Sequence, residues 1–532
     1  MRYIQQLFIY LLLSISTLIA YIYLSNFWIL STEPSITQIN LEIPILLILL
    51  ILLYFPIKNI FKSILFATIP LLLSYGLFDV FYIFLKRSAR VSDFQNLLLV
   101  PEFSPLFTTI LVLITISMIY PIILLMKYFY QKNTKSTFIK TIFLKLILLI
   151  SIFTYLNQVK INDYFLKEFV YLDWSQARTI RTNGRFASFI YYNKISQLSY
   201  EKVKKYIHTK LDVNKLIFGN DTIKKRRNVY MVVLESFIDP RLLTDINYNR
   251  PPISKDLAFY LQGKGFSKVI SPIYGGGTAQ AEFEVLTGIE ALAKVDTVEF
   301  NTLMGSKISG FVNLLLSKDY NAYATIATNS NYFNSKSAYK SIGFDNLTFL
   351  EETSDYHHRD GDYHIFDGDL YDYNINKIKK IHKSKKQYIF YTLGMYGHMP
   401  YLRNKYLRKD MVHNYTTKDD RVDRIATQFY YRTKALAKYI KDILAIDPHS
   451  IIYISSDHLP PLINGGLKYD LSNFTNVALL LVDGQNVKID GLKYYQVPRY
   501  IWNVMTENKK HIKDINQSEE ENIYFKSLSE SL

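Results

Sequence analysis

Asn228-Val-Tyr-Met-Val-Val-Leu-Glu235-Ser-Phe is the stretch that decides the fold. An apolar run from Val229 to Leu234 ends directly on a carboxylate. Its length, and its content of β-branched and aromatic side chains, predict a strand. Similar runs recur at 322–327, 387–393, 450–455 and 476–482. Amphipathic stretches at 279–287, 308–318, 335–342, 369–382, 422–445 and 497–506 separate or follow them and predict helices. Strands alternating with helices imply an α/β domain over residues 216–510, with a mostly parallel sheet flanked by helices. Such sheets bind ligands at the carboxyl ends of their strands. Glu235 lies at one such end, so the other ends bear inspection.

Three further stretches carry polar groups in the right places. Ile451-Ile-Tyr-Ile-Ser-Ser-Asp457-His458 ends a strand on an acid and an imidazole. Alone, a strand-end Glu is often only a helix cap. Glu and Asp oxygens with a His nitrogen form a mixed ligand set suited to Mn²⁺, Zn²⁺ or Mg²⁺. Tyr274-Gly-Gly-Gly277-Thr278-Ala-Gln-Ala-Glu282-Phe opens a helix after three glycines, where the backbone can approach an anion closely. No Gly-Lys-Ser/Thr follows, so this is not a Walker A loop; Thr278 as a plain N-cap with Glu282 supporting the first turn is the other reading. Gly397-His398-Met-Pro places an imidazole in a loop, able to donate to a phosphate oxygen or a leaving group.

Upstream the composition changes. The chain has 532 residues and a formal net charge of +16, yet residues 3–32, 43–57, 63–78, 103–126 and 146–159 hold no charge. Runs of this kind argue for five membrane spans, near 5–30, 41–61, 63–85, 105–126 and 138–158, in a transmembrane domain over 1–158. This excludes a wholly soluble protein and a secreted one with a cleaved signal. Lys58, Lys62, Lys127, Lys132, Lys135 and Lys140 mark inner loops, which puts everything after residue 158 outside the cytoplasmic membrane. Lys86, Arg87 and Arg90, beside Asp93, disobey that count; they mark either a miscounted span or a site for lipid phosphates. Asp79, near the end of the third span, is either a functional intramembrane carboxylate or simply solvated. Residues 159–215 read as a basic interfacial linker, with Arg178, Arg181, Arg185 and Lys194 among Tyr171, Trp174, Tyr191 and Tyr192. Residues 511–532 read as a polar tail. With no Cys, disulfides, thiolate zinc sites and Cys nucleophiles are excluded. No nucleic-acid-binding signature is present.

Taken in order, Glu235-Ser, the Gly-rich loop with Thr278 and Ala-Glu-Phe, Gly397-His398 and Ser-Asp457-His458 resemble the lipoteichoic acid synthase and phosphoglycerol transferase family. That family lies within the sulfatase and alkaline phosphatase superfamily. The resemblance implies a metal-dependent phosphotransferase. Glu235, Thr278, Asp457 and His458 would hold one divalent ion, Mn²⁺ first and Zn²⁺ or Mg²⁺ as alternatives. Thr278 would be the nucleophile and His398 the headgroup histidine. Tyr332-Phe333-Asn334-Ser335-Lys336 resembles the family's substrate segment, but Ser335 stands where those synthases have Arg. The histidine that the resemblance implies just upstream has no counterpart here, with Asn329 the nearest polar candidate for its place, and Lys336 or Lys340 would replace the lost charge. Implied partners are a phospholipid donor, phosphatidylglycerol foremost, and a cell-envelope glycan or polymer acceptor. Phosphoethanolamine transfer to an envelope glycolipid, or a non-catalytic membrane scaffold, are the alternatives.

Overall fold

The computed structural model describes residues 2–30, 39–53, 60–85, 88–89, 167–171, 176–292, 300, 303, 305–330, 334–356, 362, 364–462, 467–508, 512 and 515–531. The chain divides into two compact units, Met1–Leu198 and Ser199–Leu532.

The first unit is helical: α1 Arg2–Trp28, α2 Ile39–Leu53, α3 Ile60–Leu85, α4 Gln176–Asn183 and the start of α5, Arg185–Tyr206. Tyr10, Leu18, Leu46, Leu50, Leu71 and Tyr75 pack α1, α2 and α3 together. Within α1 and α3, Gln5–Trp28 and Ser63–Ile83 are long and apolar enough to cross a membrane. The expected spans at 105–126 and 138–158, and Lys86, Arg87, Arg90 and Asp93, lie outside the described residues. Two expectations change here. Asp79 is not solvated: it is buried, pairs with Arg185 Nε at 2.7 Å and accepts from Tyr21 Oη at 2.8 Å. Arg185 is accordingly an interior group, bonded also to Asn26 and Ser25, rather than a surface cation. Glu42 caps the first turn of α5, accepting N–H bonds from Arg185, Phe186 and Ala187 at 3.1, 3.2 and 2.8 Å. A Cβ at Gly184 would occupy the space of that carboxylate, and its φ of +99° favours glycine as well.

The second unit is an eight-stranded sheet between two layers of helices. Its strands are β1 Val229–Leu234, β2 Ser267–Ile270, β3 Asn321–Ile326, β4 Asn346–Thr348, β5 Tyr388–Gly394, β6 Ile451–Ser456, β7 Thr475–Val482 and β8 Gln485–Val487. The order is β2-β7-β6-β1-β5-β3-β4, with β8 on β7. The five strands from β6 to β4 are parallel, while β7 runs antiparallel to β6, β2 and β8. The sheet is therefore mixed: four of its seven pairings among the described residues are parallel, and β7 alone runs against the rest. The reason is local: β7 and β8 form a hairpin through Asp483-Gly484, both with φ above zero, and such a two-residue turn reverses direction.

β1 alternates strictly between faces. Val229, Met231 and Val233 join one core, and Tyr230, Val232 and Leu234 the other. On the first face pack α6 Val213–Phe218, α8 Thr278–Thr287, α9 Phe311–Leu316, α10 Ser335–Ile342, α13 Gln496–Thr506 and α14 Gln517–Glu530. On the second pack α7 Lys255–Leu261, α11 Asp367–His382 and α12 Asp420–Ile446. Helix α14 corrects the expected polar tail. Gln517, Ser518 and Glu519 are exposed, but Ile523, Tyr524, Phe525 and Leu528 are buried in the main core, and Arg499 makes a paired, buried fork to Glu520 at 2.7 and 2.8 Å.

Candidate active site

β1 is flanked in register by β5 and β6, with Leu234 opposite both Gly394 and Ser456. The residues just past these three ends therefore converge. Glu235 follows β1, Asp457-His458 follow β6, and His398 sits four residues beyond β5. Helix α8 brings the fourth group. Gly275, Gly276 and Gly277 all have φ above zero (73°, 152° and 86°), a run only glycine adopts without strain, and it turns the chain so that Thr278 begins the helix.

The hydroxyl of Thr278 donates to Asp457 Oδ2 at 2.8 Å, and Glu235 Oε2 lies 3.2 Å away. His458 Nε2 is 3.4 Å from both Glu235 Oε1 and Asp457 Oδ2. One ligand atom each from Glu235, Asp457 and His458 falls within 4.8 Å of the others, and all three side chains are buried. The support is equally specific. The backbone N–H groups of Ser236 and His458 donate to Asp457 Oδ1 at 2.8 and 2.6 Å, which leaves Oδ2 facing Thr278. Ser236 Oγ donates to Glu235 Oε1 at 2.8 Å. His458 Nδ1 lies 3.1 Å from the Leu459 carbonyl, an arrangement that puts the proton on Nδ1 and a lone pair on Nε2.

The electrostatics are those of a site built for a cation. Burial, then the neighbouring Glu235 charge, raises the Asp457 carboxyl. Burial pushes Glu235 the same way, but the charges of His458 and His398 outweigh it and hold Glu235 low. Burial opposes charge on His458, yet Asp457 and Glu235 raise it. Two buried carboxylates and a buried imidazole, with a half-buried hydroxyl beside them, match a divalent ion of borderline hardness. The donor set fits such an ion.

The sheet also reveals groups that sequence reasoning missed. Arg432 of α12 donates to the Glu235 carbonyl at 3.0 Å and to Asp367 Oδ2 at 2.6 Å, both fully buried. Gly397 lies so close that a Cβ would overlap the Glu235 carbonyl and the guanidinium. The available signal was a charge on the apolar stripe Ile425, Phe429, Arg432, Leu436, Ile440. Glu282, expected to support the first turn of α8, is instead buried one turn below Thr278 and accepts from Tyr339 and Tyr391 Oη at 2.5 and 2.6 Å. Burial and the Asp457 and Glu235 charges raise it to about 7 despite those two bonds.

His398 keeps one ring nitrogen on the Met399 carbonyl at 2.8 Å, and its ring meets that of His364 at 5.2 Å. The substrate segment is less gathered. Asn334 spends its amide nitrogen on the Phe300 and Leu303 carbonyls, at 2.8 Å each, just before α10. Asn329 is exposed after β3, the Lys336 N–H donates to the Ser330 carbonyl at 3.3 Å, and Phe333 lies outside the described residues.

A profile of the sulfatase family matches residues 227–514. A Rhizobium meliloti protein described as a putative cyclic β-1,2-glucan modification protein is 23% identical over 299 residues, 55% of this chain. The match spans 44% of that relative's own length. Among solved structures, the lipoteichoic acid synthase LtaP of Listeria monocytogenes is 18% identical, with 59% of this chain and 79% of that one covered and a TM-score of 0.44. The Streptococcus pyogenes phosphoglycerol transferase GacH, solved with sn-glycerol-1-phosphate, is 15% identical, with 64% and 92% covered and a TM-score of 0.44.

Proposed function

Since the chain belongs to the sulfatase family, we propose that it is a membrane-bound, divalent-metal-dependent phosphotransferase with Thr278 as its nucleophile. The donor is an anionic phospholipid, phosphatidylglycerol foremost, and the acceptor a hydroxyl of a cell-envelope glycan or polymer. The catalytic unit would lie on the outer side of the cytoplasmic membrane. The observation that carries this reading is the Thr278 hydroxyl, set between two buried carboxylates at 2.8 and 3.2 Å with an imidazole facing them. Sulfatase chemistry proper needs an oxidised Cys or Ser in a Cys/Ser-x-Pro-x-Arg setting; this chain has no Cys, and Thr278 is followed by Ala-Gln-Ala.

Glu235, Thr278, Asp457 and His458 would hold the ion, which supplies charge neutralisation and a lowered hydroxyl pKa when bound. The chain's own residues do the rest. The backbone bonds on Asp457 Oδ1 and the Arg432 bond to the Glu235 carbonyl hold both carboxylates still. Thr278 Oγ1 attacks phosphorus, and its proton passes to Asp457 Oδ2, the atom it already bonds. His398 protonates the leaving oxygen, and diacylglycerol departs with that proton. An acceptor hydroxyl then attacks the phosphorus and passes its proton to His398, while the bond to Thr278 Oγ1 breaks and Asp457 Oδ2 returns its proton to that oxygen.

The test uses the full-length protein in vesicles with Mn²⁺, offered phosphatidylglycerol and phosphatidylethanolamine separately, with diacylglycerol release followed. Release from phosphatidylglycerol that Thr278→Ala abolishes supports the reading. Release from phosphatidylethanolamine alone replaces the donor. No Thr278-dependent release from either, with metal bound, overturns it.

A further inference from the structure

Immediately after His398 the chain leaves the core and forms a turn whose chemistry is out of keeping with the rest of the unit. Among its described residues, the second unit has eight exposed large apolar side chains, and five of them lie within 399–415. Met399, Leu402, Tyr406 and Leu407 are 46, 43, 94 and 50% exposed. Lys405 and Lys409 stand exposed among them, and residues 399–409 contain no acid. Asp410, which follows, is paired with Arg403 and also meets Lys405 Nζ at 3.4 Å, an exposed contact that lipid phosphate can exchange for, while Lys409 stands clear of it.

These side chains are not a loose flap. Asn404 Oδ1 accepts the N–H groups of Tyr406 and Leu407 at 2.9 and 3.1 Å, which fixes the turn that presents them. Arg403 Nε donates to the Arg408 carbonyl at 3.1 Å, closing the base. Arg408 is buried, paired with Asp362 and lies 4.2 Å over the Phe366 ring. The Tyr401 N–H donates to the His398 carbonyl at 3.0 Å, so the turn is continuous with the site. A structure that spends two buried arginines to hold apolar side chains out in water has something to cover them. Apolar tips with flanking lysines are the pattern that inserts at an anionic lipid interface, where each cation near the surface adds to the attraction.

We propose that residues 399–409 dock on the anionic bilayer surface, seating Tyr406 and Leu407 among the headgroups and setting the height of His398 above the lipid. This rests on the membrane-bound reading above.

The chain has no Cys, so Tyr406→Cys gives a single site for a nitroxide label in the full-length protein, and Leu407→Cys a second should the first misfold. Phe259→Cys, 76% exposed on α7, is the aqueous control. The label's collisions with oxygen and with a water-soluble nickel chelate are compared in vesicles of phosphatidylcholine with and without phosphatidylglycerol. The expected result is a several-fold loss of nickel access at 406 or 407, relative to 259, that needs the anionic lipid. Equal nickel access at all positions overturns the proposal. So does protection that persists in detergent and scales with protein concentration, which would make the occupant a second copy of the chain. The readout requires no turnover. A shielded label without diacylglycerol release therefore sinks the catalytic reading alone, and release with an aqueous label sinks this one alone.

Discussion

At the residue scale, the strongest demands fall on Thr278 and on the group beneath it. Thr278→Ala removes the attacking oxygen and should lower turnover by roughly 10³-fold or more, whereas Thr278→Ser keeps a hydroxyl and should retain measurable transfer. Single-turnover diacylglycerol release separates the two. Glu282 gives a test independent of activity. Its carboxyl is raised from 4.5 to about 7 in the fold, so its stabilising share is whole below pH 4.5 and is lost as pH rises through about 7. Glu282→Gln keeps an oxygen for Tyr339 and Tyr391 but cannot ionise. The variant should therefore melt higher than the parent at pH 8, by an amount on the order of 2–3 kcal/mol, and the gap should close at pH 5. Melting curves of both proteins at the two pH values check the sign; a gap independent of pH would assign the effect to packing.

At the element scale, what was legible depended on how much of an element is apolar. β1, β3, β5, β6 and β7 were readable because each is a near-continuous apolar run, within one residue of the strand observed. β2, β4 and β8, at three or four residues and with polar side chains, carry no such run. α14 was misread because Gln517-Ser-Glu-Glu-Glu521 masks an apolar stripe that begins only at Ile523. The strand-end carboxylates Glu235 and Asp457 were visible for the same reason as their strands. The Asp367–Arg432 pair was not, because its partners are separated by 65 positions and meet only once α11 and α12 are packed. Phe525→Ala tests the helix. A buried phenylalanine truncated in a main core costs about 3–5 kcal/mol, so the second unit's melting temperature should fall by several degrees; a shift of under one degree would return this segment to the status of a tail.

At the scale of the whole molecule, two units share one chain but not one ligand. Among the described residues, the one cluster of candidate metal donors, Glu235, Asp457 and His458, lies in Ser199–Leu532. Added Mn²⁺ should therefore protect only fragments of the second unit from limited proteolysis, by about 2.7 kcal/mol at a hundred times its Kd, while fragments of the first unit stay as they were. Thr278→Ala and Asp457→Asn should each blunt that protection. The first unit raises a question of timing. Glu42 meets the first turn of α5 across 143 positions of sequence. At a synthesis rate of about 5–20 residues per second, roughly 7–30 s separate the emergence of the carboxylate from that of its cap. For that interval, among the described residues, Tyr75, 33 positions on, is the partner available to it. The carboxylate on α2 is thus held on provisional terms, and its place becomes secure only when residues 185–187 are born.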